Sequence, residues 1–147
     1  METQIKKSVE INASNDKVWN VLILDEHNKK WYSAFSEGTH AETDWKVGSR
    51  VVFSDKSGDG MIGKIIENEP GKSLVIEYDG VIMQGIEDYD SEVAQKVKGG
   101  KESYTLTNAN GKTNLAISSD MDPEYYEMMS EQWDVALEKI KKLAEQQ

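Results

Sequence analysis

The segment DPEYYEMMSEQWDVALEKIKKLAEQQ, residues 122–147, has the clearest helical period in the chain. Asp122 has the side chain of an N-cap, and Pro123 sits at the first helical position, where a missing N–H costs nothing. Tyr125, Met129, Trp133, Ala136, Leu137, Ile140 and Ala144 then recur at helical spacing, which makes one apolar face about 20 residues long. Lys139, Lys141 and Lys142 fall near the negative end of the helix dipole. A helix with one long apolar face needs an apolar surface to lie on, and the rest of the sequence supplies strands.

Upstream, Asn110-Gly111 is the strongest hairpin signal, because a type I′ turn needs positive φ at both central positions. It joins Ser103–Asn108 to Thr113–Asp120, where Tyr104 and Leu106 alternate, as do Leu115, Ile117 and Met121. Glu69-Pro70-Gly71-Lys72 has the residues of a type II turn, and Ser57-Gly58-Asp59-Gly60 is a second turn. Between and around these turns, Val51 and Phe53, then Met61 to Asn68, then Leu74, Ile76 and Tyr78 read as strands. Residues 4–12 form another, with Ile5, Val9 and Ile11 on one parity and Lys7 breaking it. Ser14 caps a first helix carrying Val18, Trp19, Val21 and Leu22, and a short second helix holds Asn28 to Tyr32. Residues 85–101 lack a period and read as a loop, with a short helix near Val93 to Val97.

The expected fold is therefore α+β, a single domain over 1–147. A curved antiparallel sheet of six to seven strands wraps around the long C-terminal helix, and two short helices follow the first strand. The meander leaves an open concave face that only the last helix can cover. The first strand is then free to pair at the sheet edge, and space remains between sheet and helix.

Composition narrows the function classes. The chain has 147 residues, no cysteine, and a net charge of −10 from 17 basic and 27 acidic residues. The absence of cysteine removes disulfides, thiolate metal sites and cysteine nucleophiles. The basic residues are scattered among acids and only one is arginine, Arg50, so nucleic acid and anionic membrane are poor partners. The longest apolar run, Val21 to Leu24, is far short of the roughly 20 residues needed to span a bilayer. Met1 to Glu10 has lysines without a following apolar region, unlike a signal peptide. These features point to a cytoplasmic protein. No phosphate loop, GxSxG elbow, HExxH or dinucleotide-binding glycine pattern is present, and nothing calls for a metal or a cofactor.

Several motifs in order carry a family resemblance over nearly the whole chain. Ile5–Ile11 followed by Ala13-Ser14 and Val18-Trp19, with Trp31 in the second helix, resembles the START-like superfamily, also called SRPBCC or Bet v 1-like. Asp44-Trp45-Lys46-Val47-Gly48-Ser49 and Gly63-Lys64-Ile65 before Glu69-Pro70 resemble one branch of it. So do Tyr104-x-Leu106, Gly111-Lys112-Thr113-x-Leu115, and Trp133 with Leu137 and Lys141. That branch is similar to the C-terminal domain of the activator of heat-shock protein 90 ATPase. The resemblance implies the helix-grip fold and three possible functions: a cavity for a hydrophobic small molecule or lipid, a polyketide cyclase or dehydratase, and a chaperone partner. A charge of −10 would slow association with an acidic partner.

The binding reading rests on Trp31, Phe35, Trp45, Phe53, Tyr78, Tyr104, Met121, Tyr125, Met129 and Trp133 as cavity lining. For any one of them an ordinary core role is the stronger reading, and the helix-grip fold favours a cavity only for the group. No catalytic set is legible. His27 and His40 have no evident nucleophile or carboxylate partner. Glu77 takes the parity opposite Ile76 and Tyr78 and should face solvent, while the orientation of Glu102 stays open. Glu87-Asp88-Tyr89-Asp90, with Glu92 beyond, lacks the spacing of a calcium loop and reads as a solvated loop.

Overall fold

The computed structural model describes residues 3–146. Met1, Glu2 and Gln147, which the single-domain expectation also spans, lie outside the described residues. Strand β1 (Thr3–Ile11) leads into helices α1 (Asn15–Ile23) and α2 (Asp25–Tyr32). Strands β2 (His40–Glu42), β3 (Arg50–Ser54), β4 (Gly60–Glu69), β5 (Ser73–Met83) and β6 (Ile86–Asp88) follow, then helix α3 (Glu92–Val97). Strands β7 (Lys101–Ala109) and β8 (Lys112–Met121) precede a 3₁₀ turn at Pro123–Tyr125 and helix α4 (Tyr126–Glu145).

The eight strands form one sheet in the order β1-β8-β7-β5-β4-β3-β2, with β6 paired to β5. All the pairings are antiparallel. The meander and its turns follow the sequence: Asn110 and Gly111 both take positive φ, and Ala109 pairs with Lys112 across them. β1 pairs with β8 from Thr3 opposite Met121 to Ile11 opposite Thr113, so the chain's start closes an edge of the sheet. The sheet has more strands than the expected six to seven because β2 and β6 are three residues each, too short for alternation to register. The 85–101 stretch, expected as a loop with a short helix, contains β6 as well as α3.

The sheet bends around α4 where the ladder slips. Two register shifts interrupt the β4–β5 pairing, at Ile62/Gly63 and Ile65/Glu67, and such bulges increase local twist and curvature. Gly63 stands at the first because a Cβ there would come within 2.6 Å of the Glu77 carbonyl oxygen.

The far end of α4 is held firmly. Lys7 Nζ meets Asp134 at 2.7 Å, and Lys141 Nζ reaches both the Glu10 carbonyl at 2.9 Å and Glu145 at 2.7 Å. The Asn12 backbone N–H donates to Glu145 at 2.9 Å. Lys7, which interrupts the apolar parity of β1, therefore ties the strand to the helix that covers it. Ala136, Ile140 and Ala144 of α4 have no exposed surface, and neither do Val18, Val21, Ile5 and Ile11. The small alanines allow a close approach of α4 to α1 and β1.

Candidate functional site

Toward its N-terminal half, α4 presents Met129 and Trp133 to a different surrounding. The opposing wall comes from Trp31, Tyr32 and Phe35 of α2 and its exit, Phe53 of β3, Met61 of β4, Tyr78 of β5 and Tyr104 of β7. Together they enclose a cavity of about 260 Å³, with Ser36, Thr39, Asp55, Asp59 and Gly60 completing the lining. Ring pairs meet mostly edge to face. Phe35 lies 4.9 Å from Trp133, Tyr32 5.7 Å from Phe53, and Tyr104 6.0 Å from Trp133, centroid to centroid. Such pairs are favourable contacts, and the rings so arranged line the hollow rather than fill it.

One ionisable group lies within. The Tyr78 hydroxyl donates to Glu102 Oε1 at 3.0 Å, and the Tyr104 hydroxyl donates to Oε2 at 2.6 Å. Glu102 is half-buried by surface area because it lines the hollow, but its carboxyl group lies deep among protein atoms. Burial pushes that carboxyl above the usual carboxylate range, against the pull of the two tyrosine hydrogen bonds. Tyr32, Tyr78 and Tyr104 are pushed well above the ordinary tyrosine range, first by burial and then by the Glu102 charge, so their hydroxyls stay protonated.

At the mouth, Asp55 organises the β3–β4 turn. Oδ2 accepts from the Ser36 hydroxyl at 2.7 Å, and Oδ1 accepts from Ser57 Oγ at 2.7 Å and from the backbone N–H groups of Ser57 and Asp59. The hydrogen bonds of Ser57 and Ser36 hold its carboxyl down to about 2. Asp59 Oδ1 accepts from the Gln84 backbone N–H at 2.8 Å, which joins this turn to the β5–β6 connection. Gly60 has no room for a Cβ against the Phe53 carbonyl.

Of the sequence-predicted lining, Trp31, Phe35, Phe53, Tyr78, Tyr104, Met129 and Trp133 come together here, and Trp45, Met121 and Tyr125 do not. Trp45 takes a positive φ of 64°, and its carbonyl accepts from Asn68 Nδ2 at 2.7 Å. Its side chain fills space beside Leu22, Leu74 and Ile76, where no water-sized volume is left. Met121 ends β8 opposite Thr3 and packs against the core at that edge. Tyr125 belongs to the 3₁₀ turn rather than to α4, so the spacing that aligned it with Met129 does not hold, and its side chain is exposed.

Sequence reasoning missed Tyr32, Met61 and the polar mouth, and it left Glu102 unplaced. A signal for Glu102 was present: it shares the parity of Tyr104 and Leu106, which face inward. Glu77 faces solvent as parity requires, 3.7 Å from Lys64. His40 is half-exposed outside the cavity, with Nε2 3.5 Å from Glu42, and His27 lies 3.7 Å from Glu26. In the acidic segment, Glu87 pairs with Arg50 at 2.6 Å, and Asp88 accepts from the Asp90 and Ser91 backbones. Among the described residues no group of three or more His, Asp or Glu is placed to hold a metal ion, and no helix is long and apolar enough to cross a membrane.

A curved antiparallel sheet gripping a C-terminal helix over an aromatic hollow is the helix-grip arrangement of the START-like proteins. Within that class, residues 12–145 match the sequence model of the Activator of Hsp90 ATPase homolog 1-like protein family, and the chain belongs to that family. No curated protein matches it in sequence. The fold is similar to the Aha1 dimer from Colwellia psychrerythraea, with TM-score 0.75, 19% identity, and 97% and 96% of the two chains covered. It is also similar to a Mesorhizobium loti protein, with TM-score 0.78, 17% identity and 98% of each chain covered. A third similar structure is CalU16 from Micromonospora echinospora, with TM-score 0.68 and 15% identity, covering 96% of this chain and 75% of that one.

Proposed function

We propose that this protein binds a compact, largely apolar small molecule in the hollow between α4 and the sheet. The observation that carries the reading is the cavity itself, about 260 Å³, walled by aromatic and methionine side chains around one buried carboxylate. Ligand sites are typically apolar concavities with a few convergent polar groups, and their usual span is about 300–1,000 Å³. This one lies just below that span, which favours a molecule of one or two rings over a long-chain lipid or a large polyketide.

A second reading has one observation in its favour. Glu102 is an ionisable group inside the cavity with a displaced pKa, which is what a general base for cyclisation or dehydration needs. Among the described lining residues no nucleophile or second acid stands beside it apart from the tyrosine hydroxyls, so binding without turnover is the primary reading.

Thermal unfolding in the presence of pooled small aromatics, flavonoids, sterols and fatty acids tests the proposal. A ligand at 100 times its dissociation constant adds about 2.7 kcal/mol to stability, enough to raise the Tm by several degrees. The expected result is a saturable rise with compact aromatics and none with sterols or long-chain acids. No rise with any pool would leave the aromatic wall as ordinary core. Consumption of a hit compound that Glu102→Gln abolishes would move the reading from binding to catalysis.

A further inference from the structure

The charged residues that line the cavity all carry one sign. Glu102 lies inside and Asp55 and Asp59 stand at the mouth, and no lysine, arginine or histidine is among the described lining residues. Asp55 stays ionised at any ordinary pH, given the hydrogen bonds from Ser57 and Ser36. Glu102 accepts one hydroxyl on each oxygen and keeps lone pairs to spare. Neutral hydroxyls soften the penalty of a buried carboxylate but do not cancel its charge. The lining around it is largely aromatic, and the face of an aromatic ring carries the negative end of its quadrupole.

Carboxylate, aromatic lining and acidic mouth all disfavour an anion and favour a cation. The carboxylates are not grouped as metal ligands among the described residues, so the cation they suit is an organic one. The net charge of −10 adds a long-range pull of the same sign. We propose that the ligand is a compact organic cation, an ammonium group on an apolar body, with Glu102 as its counter-charge and the aromatic wall as its cage. Fatty acids and other carboxylates are then excluded by charge as well as by size. The inference rests on the reading of the cavity as a ligand site and adds the chemistry of what enters it.

Three soluble probes share one body and differ in charge at pH 7: 2-phenylethylamine, 2-phenylethanol and phenylacetate. Titration of the full chain at low salt, followed by NMR, should give binding of the amine at least about tenfold tighter than the alcohol, with phenylacetate weaker than both. In Glu102→Gln, which keeps the side-chain shape, the amine should lose at least about tenfold more affinity than the alcohol loses. The wild-type ranking stands as a test even if that variant folds poorly. Equal or tighter binding of the alcohol or phenylacetate would overturn the cationic class and leave the cavity reading standing. If none of the probes bind, the cationic class is overturned; if no neutral or acidic pool binds either, the cavity reading falls with it.

Discussion

The two halves of the α4–sheet interface solve the same covering problem with different residues. From Ala136 onward, aliphatic side chains and small alanines interlock with α1 and β1 and leave no exposed surface. Before Ala136, Met129 and Trp133 meet a wall of aromatic rings and leave about 260 Å³ unfilled. The closed half is held by apolar packing and by hydrogen bonds at the helix end, from Lys141 to the Glu10 carbonyl and from the Asn12 N–H to Glu145. The open half is shaped by hydrogen-bonded polar groups, Glu102 with its tyrosines and Asp55 with its serines. The contrast teaches that one helix can be closely packed along one stretch and leave a hollow along another, and under the proposed function only the second would take a ligand.

The largest expected effect comes from truncating each half in turn. Ile140→Ala, with no exposed surface to begin with, should cost about 2–5 kcal/mol in urea unfolding. Met129→Ala, half-buried beside the cavity, should cost about 1 kcal/mol or less, since part of its surroundings is already empty. Equal costs would break the comparison.

The polar mouth gives the next effect. Asp55→Ala should destabilise by about 1 kcal/mol at pH 7, the worth of hydrogen bonds to a partly exposed charged acceptor. Because the Asp55 pKa is lowered to about 2 from 3.8 in the folded state, its contribution is present above pH 3.8 and fades as the pH falls toward 2. The stability difference between wild type and variant should shrink over that window; a gap unchanged down to pH 2 would contradict it.

Glu102 should act with the opposite sign. Its folded pKa is raised, so its contribution is full in acid, below the ordinary glutamate range, and is lost as the pH rises through the folded value. Glu102→Gln should therefore gain on wild type between acid and neutral pH in paired denaturation curves. A variant that instead loses ground to wild type as the pH rises would mean that the carboxylate is stabilised, not strained, by its site. The smallest effect belongs to the α1 cap: Ser14→Ala loses a 3.3 Å hydrogen bond from the Lys17 N–H and should cost about 0.5 kcal/mol, without altering ligand binding.

The contrast between the halves also explains what could be read in advance. The closed half was legible because burial there follows the helical period of Ala136, Leu137, Ile140 and Ala144 and the alternation in β1 and β8. The Asn110-Gly111 turn was legible because few residues accept its backbone angles. The open half was harder. Seven of the aromatic and methionine positions line the hollow, but Tyr125 is drawn away by a 3₁₀ turn and Trp45 by a left-handed backbone, neither of which leaves a periodic trace. Glu102 was readable by parity, yet an acid between two apolar faces is ordinarily assigned to solvent. The polar mouth draws on Ser36, Asp55 and Asp59 in two separate loops, and only the folded chain brings them together.

The most direct test of the open and closed halves is a residue-resolved NMR titration with whichever compound raises the Tm most. The indole N–H signals of Trp31 and Trp133 should move and saturate together, while Trp19, buried in the closed half, stays in place. Shifts that include Trp19 equally, or that leave Trp31 and Trp133 unmoved, would contradict a ligand seated in the hollow under α4.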